Sequence, residues 1–173
     1  MMRKLLLVID YQNDFVDGSL GFEGAEKLEP IIIERIEEYE KHNGEVIFTL
    51  DTHQDDYMET VEGKNLPIPH CIEGTDGHEI YGAIRPYSRH HLRIKKDTFG
   101  SKDLVEYLTY NQFDYVELVG LVANICVLSN AILVKSVLPN AEIVVNSKAC
   151  DSNDKEMMEK GYDILKNLHI KVI

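Results

Sequence analysis

Apolar residues along this chain fall into two patterns that alternate. Leu5 to Ile9 is an unbroken apolar run, short enough to predict a strand buried on both faces. Pro30 to His42 spaces Ile32, Ile33, Ile36 and Tyr39 between charges, which is the period of a helix, and Pro30 suits its first turn. Glu45 to Leu50 predicts a second strand, ending at Asp51. Residues 52–90 lose the period: they carry Pro67, Pro69, several glycines and four histidines, and predict a long functional loop with short helical pieces. The alternation then resumes. His91 to Ile94, Tyr115 to Val119, Ala141 to Val145 and Ile170 to Ile173 predict strands, while Ser101 to Asn111, Ile125 to Val137 and Asp154 to Leu168 predict helices.

Strands alternating with helices imply right-handed βαβ units. The expected fold is a three-layer α/β/α arrangement, with a mostly parallel, Rossmann-like sheet of about six strands and helices on both faces. The chain shows no repeat, low-complexity segment or linker, so one domain over residues 1–173 is expected.

Composition narrows the function. The net charge of −12 argues against a phosphate backbone or an anionic membrane surface as partner. No apolar run approaches the roughly 20 residues of a membrane span. Met1 to Lys4 followed by Leu5 to Ile9 has the order of a signal peptide, but the apolar part is short and ends at Asp10, so a buried first strand is the better reading. Cys71, Cys126 and Cys150 are an odd set without paired spacing, which fits a reducing, cytoplasmic setting. No Gly-rich fingerprint follows Ile9, so a dinucleotide site is not expected.

Reactive groups fall where the strands end. Asp10 follows the first strand, Lys95 or Lys96 the third, and Cys126 lies just after the strand at 115–119, where a helix begins. In a parallel sheet these ends share one crevice. A cation and a helix N-terminus there favour a thiolate, a carboxylate can take and return a proton, and backbone N–H groups near Cys126 can stabilise an oxyanion. A second set, Asp51, His53 and His70, offers ligands for Zn²⁺ or another divalent ion, with Cys71 beside it as a further candidate.

Together these motifs resemble the isochorismatase-like cysteine hydrolases, and within them the nicotinamidase/pyrazinamidase branch. The resemblance runs through Val8 to Phe15, Asp51-Thr52-His53, His70 to Gly77, Lys96 to Ser101, Gly120 to Val127 and Ala149 to Ser152. It implies Asp10 as general base and acid, Lys96 as activator (Lys96 standing three residues before Phe99) and Cys126 as nucleophile. It implies an oxyanion hole from the N–H groups of Val122 and Cys126, and a cis peptide at Leu121–Val122. It further implies Phe15 and Leu121 as substrate-binding residues. Asp51, His53 and His70 match the branch's ligands for a divalent metal, zinc foremost with iron or manganese as alternatives, which binds the substrate's pyridine nitrogen.

The resemblance thus implies hydrolysis of nicotinamide, or of a closely related small amide, and a homo-oligomer. Two alternatives share the same residues: a related hydrolase acting on another amide or a ureido compound, and a non-catalytic binding protein on the same fold. The chain departs from the branch in having no Trp before the second metal histidine, where Pro67 and Ile68 stand. Tyr57 and Tyr87 are the aromatic candidates to replace it.

Overall fold

A computed structural model describes residues 2–173. The chain runs β1 (Lys4–Ile9), α1 (Asn13–Val16), α2 (Glu29–Lys41), β2 (Glu45–Asp51), α3 (Val61–Asn65) and α4 (Arg85–Ser88). It continues through β3 (Leu92–Lys96), α5 (Lys102–Tyr110), β4 (Tyr115–Gly120), α6 (Leu128–Val137), β5 (Glu142–Cys150), α7 (Lys155–Asn167) and β6 (Lys171–Val172). The six strands form one sheet in the order β3-β2-β1-β4-β5-β6, and every pairing is parallel. The expected sheet was mostly parallel; the observed one is entirely so. Among the described residues no helix is long and apolar enough to cross a membrane.

Strand pleating explains the layers. Leu5, Leu7 and Ile9 face a core built with Leu104 and Leu108 of α5, Ala131 and Val134 of α6, and Leu165 of α7. Leu6 and Val8 point the other way, onto Ile32, Ile36 and Tyr39 of α2 and onto the long 52–90 segment through Cys71, Ile80 and Ile84. Side chains alternate across a strand, so an unbroken apolar run feeds both cores at once.

Three elements differ from the pattern in the sequence. β3 is shifted toward its C-terminus and includes both lysines, because strand identity there comes from its ladder to β2, which pairs Leu50 with Lys95 and Asp51 with Lys96. β5 runs on to Cys150 through Asn146, Ser147 and Lys148, whose polarity hides a strand that backbone pairing sustains. The helix expected at Ile125 is preceded by a wide turn, Ala123–Val127, in which Val127 N–H donates to Val122 O at 3.2 Å. Such π-type turns are frequent at functional sites.

The order places β1 beside β4 where the chain direction of the sheet's growth reverses, a topological switch point that opens a crevice at the strand ends. Gly120 makes the close approach there. Its φ is +114°, and a Cβ at this position would lie 2.1 Å from the carbonyl oxygen of Ile9. Gly120→Ala is therefore expected to cost at least about 2 kcal/mol, the sum of an unfavourable φ and backbone displacement, read as a lowered midpoint in urea unfolding. An unchanged midpoint would mean that the two strands part without penalty.

Candidate active site

Asp10, Lys96 and Cys126 converge from three strand ends. Asp10 follows β1 in the left-handed region, at φ +46°, and is fully buried. Its Oδ1 accepts a 2.6 Å hydrogen bond from Thr49 Oγ1 on the adjacent strand. Lys96 ends β3, and the pleat sends its side chain inward while Lys95 pairs with Glu73 at the surface. The Lys96 ammonium lies 2.6 Å from Asp10 Oδ2, 3.1 Å from Asp51 Oδ1 and 3.5 Å from Cys126 Sγ, and it donates to Thr98 O at 2.9 Å.

Charge in this cluster is shared unevenly. Burial favours a neutral lysine, yet the neighbouring carboxylates of Asp10 and Asp51 outweigh it and hold Lys96 protonated. Burial pushes the Asp10 carboxyl above its ordinary value; Lys96 pulls it down and Asp51 adds to the rise. The Cys126 thiol is pushed up by burial and then by the Asp10 charge, with Lys96 only partly opposing. This corrects the expectation of a depressed thiol pKa. Position at a helix start favours the thiolate, but in a desolvated site beside two carboxylates the resting group is the thiol.

The turn that carries Cys126 has the expected cis peptide at Leu121–Val122. No protein acceptor meets the Val122 N–H among the described residues. Leu121, expected in the substrate pocket, instead has its side chain fully buried in the α2-side core. Val122 lines the pocket in its place, because successive side chains leave the turn on opposite sides.

The second set gains a member. His53 and His70 come together because His53 N–H donates to Cys71 O at 3.0 Å and Glu73 N–H to His53 O at 2.8 Å. Asp51 Oδ2 then lies 3.0 Å from His53 Nε2 and 3.3 Å from His70 Nε2. Glu62 of α3 completes the group, its Oε1 3.6 Å from both histidine nitrogens. Ligand atoms of Asp51, His53, Glu62 and His70 all lie within 4.8 Å of one another, and Cys71 is not among them. Sequence reasoning missed Glu62, since no spacing rule ties a Glu in a five-residue helix to Asp-x-His.

The donor set fits a divalent metal. His70 Nδ1–H donates to Ile68 O at 2.8 Å, which fixes the tautomer and leaves Nε2 bare to face the carboxylates. Two imidazoles and two carboxylates suit zinc, iron or manganese. Burial disfavours the Asp51 charge, but its contacts with His53 and His70 and the charge of Lys96 hold its carboxyl well below the usual range. Gln12 clamps the Asp51 backbone from the other side: its Nε2 donates to Asp51 O and His78 O, and its Oε1 accepts from Asp51 N–H, each at 2.8 Å.

Cys126, Asp51, Glu62 and His70 border a cavity of about 180 Å³ whose other walls include Phe15, Phe22, Leu66, Phe99, Val122 and Ile125. That volume is below the roughly 300–1,000 Å³ of pockets for drug-sized ligands, so the site suits a small, largely apolar molecule. Asp10, Lys96 and His53 stand outside the wall. Tyr57 does not line it either; its ring packs edge-on against His53 and His70, with centroids at 4.8 and 5.0 Å, and its hydroxyl donates to Leu66 O. Tyr87 is tied to Glu37, away from the cavity. Phenylalanines supply the aromatic surface of this cavity. A more polar cleft of about 260 Å³ also touches Lys96, between Thr52, Glu73 and Lys102, but Cys126 and the histidines do not reach it.

The isochorismatase domain family model matches residues 4–173. An isochorismatase family protein of Bacillus subtilis (strain 168), PncA, described as uncharacterized, is 31% identical over 167 residues, 90% of each chain. A crystal structure of nicotinamidase PncA from Bacillus subtilis superposes with a TM-score of 0.87 at 30% identity, covering 99% of both chains. The pyrazinamidase of Pyrococcus horikoshii, solved in complex with zinc, shares the fold with a TM-score of 0.84 at 22% identity, covering 99% of this chain and 98% of that one.

Proposed function

The chain belongs to the isochorismatase family of hydrolases, and from that premise we propose that it is a cysteine-dependent amidase that converts nicotinamide to nicotinate and ammonia. The observation that carries this reading is the single buried ammonium of Lys96. It touches Asp10, Asp51 and Cys126 at once, and so joins an acid/base pair to a metal-type ligand set on the edge of one small cavity.

Cys126 Sγ attacks the carboxamide carbon while Asp10 takes the thiol proton, so the neutral resting thiol and the raised Asp10 pKa suit each other. The negative charge that develops on the carbonyl oxygen is received by the N–H groups of Val122 and Cys126. Asp10 returns the proton to nitrogen, the C–N bond breaks and ammonia leaves a thioester. A water molecule, deprotonated by Asp10, then attacks that carbon; the C–S bond breaks, the proton returns to sulfur and nicotinate departs. Lys96 stays protonated throughout and offsets the negative charge passed between Asp10 and Cys126.

Asp51, His53, Glu62 and His70 would hold a divalent ion, zinc in the first instance. When bound, the ion supplies a Lewis-acidic anchor for the ring nitrogen of the substrate. The deciding assay is ammonia release from nicotinamide by the wild-type protein: none would sink the substrate assignment.

Metal removal offers a further test. Dialysis against a chelator is expected to raise KM for nicotinamide about tenfold or more, by loss of a binding contact, with added Zn²⁺ restoring it. A KM indifferent to chelator in a protein shown metal-free would instead favour an amide or ureido substrate held without a metal.

A further inference from the structure

The structure assigns a role to Asn130, a residue with no part in any motif: we infer that it is a positioning residue that holds the nucleophile turn and the Phe99 wall of the cavity in one register. This rests on Cys126 being the nucleophile. Asn130 stands in the first turn of α6 and is fully buried. Its Oδ1 accepts from Ser101 N–H at 3.0 Å, and its Nδ2 donates to Phe99 O at 3.0 Å and to Cys126 O at 2.8 Å.

The orientation of the amide is fixed by its partners. Ser101 N–H can only donate, and the two carbonyls can only accept, so no flipped amide satisfies all three. No other side chain of this size presents one acceptor and two donors from a single planar end. An Asp would face two carbonyls with oxygens, and a Leu would orphan three main-chain groups in a dry interior.

These bonds matter because of what they join. The loop 97–101 connects β3 to α5, and it touches the site twice. Thr98 O accepts from the Lys96 ammonium, and the Phe99 ring, 45% exposed, lines the cavity. Close packing supports the tie, since a Cβ on Gly100 would meet Leu133 of α6 at 2.6 Å. On the other side, Asn130 grips the carbonyl of Cys126 itself, at the end of the wide turn. The cation that faces Cys126, the ring that walls the substrate and the backbone of the nucleophile are therefore braced through one amide. Displacement of about 1 Å at a reacting atom can cost about 10²-fold in rate, so such a brace acts on catalysis without touching substrate.

Two variants separate this role from plain stability, measured with the wild type in parallel. Asn130→Asp keeps the shape and the Ser101 bond but breaks both carbonyl bonds; we expect kcat/KM for nicotinamide to fall about tenfold or more, and alkylation of Cys126 by iodoacetamide, assayed without substrate, to change in rate and pH profile. In Asn130→Thr the hydroxyl can bond back to the carbonyl four residues earlier, Cys126 O, and nothing holds Phe99; we expect the alkylation rate to stay within about twofold of wild type and KM to rise about threefold or more.

A folded Asn130→Asp that alkylates like the wild type, or an Asn130→Thr with unchanged KM, overturns the inference even if the melting temperature drops. If Asn130→Asp does not fold, the KM of Asn130→Thr decides alone. Failure of the parent reading looks different: a wild type that releases no ammonia from nicotinamide.

Discussion

Cys126→Ala is expected to lower nicotinamide hydrolysis by about four orders of magnitude or more while leaving the protein folded, because no second nucleophile stands near the cavity. Cys71 and Cys150 are buried elsewhere, and burial pushes both thiols up, Cys71 also feeling nearby carboxylates. The hydroxyl of Thr49 is occupied by Asp10, and that of Ser101 by the N–H of Leu104. The change removes one buried sulfur, so stability should fall by only about 1 kcal/mol. The metal set shares no bond with Cys126 and should still take up Zn²⁺ in a titration of metal-free protein. Ammonia release and that titration form one experiment: activity that persists without the thiol would refute the mechanism, whereas joint loss of activity and metal binding would point to a damaged site rather than a missing nucleophile.

Lys96→Met should be the most destabilising single change in the site, at about 3–5 kcal/mol, because it leaves two buried carboxylates without their cation. Asp10 and Asp51 each contact the ammonium within 3.1 Å, and Asp51 also raises the Asp10 pKa. The loss should depend on pH with a definite sign. An acid whose folded pKa lies above its unfolded value stabilises the fold below the unfolded value, here near 3.8, and that contribution is lost as pH rises through the folded pKa. Without Lys96 the downward pull on Asp10 disappears and its folded pKa climbs further. The deficit of the metal-free variant relative to wild type should therefore be small near pH 4 and grow toward neutrality, as read by urea unfolding at several pH values. Adding Asp10→Asn to the variant should recover part of it. A deficit that stays constant with pH, or that Asp10→Asn leaves unchanged, would show that the ammonium contributes packing rather than charge.

Local pattern carried much of the site. Asp10 and Cys126 were legible because apolar runs end at Ile9 and Val119, and a parallel sheet gathers such ends on one side. Lys96 could be told from Lys95 by motif, and the structure supplies the physical reason: the pleat turns Lys96 inward opposite Asp51, its register partner. Asp51, His53 and His70 were legible as a ligand set through the family resemblance, since their spacing alone is a weak signal. Glu62, Asn130 and the bond from Thr49 to Asp10 were not: Glu62 lies in the 52–90 segment, whose path no period predicts, Asn130 reaches Ser101 and Phe99 across 29 and 31 residues, and Thr49 meets Asp10 across 39.

By itself the sequence determined the alternation of strands and helices, the family, and which reactive groups stand at strand ends, because these depend on hydrophobic period and on residue type. Only the tertiary structure decided how those groups behave. Strand order brings Lys96 between two carboxylates, the turn after β4 puts Val122 rather than Leu121 on the cavity, and burial makes the resting Cys126 a thiol. Desolvation and convergence act through space, and a linear chain records neither the distance between two charges nor the water that folding removes from between them.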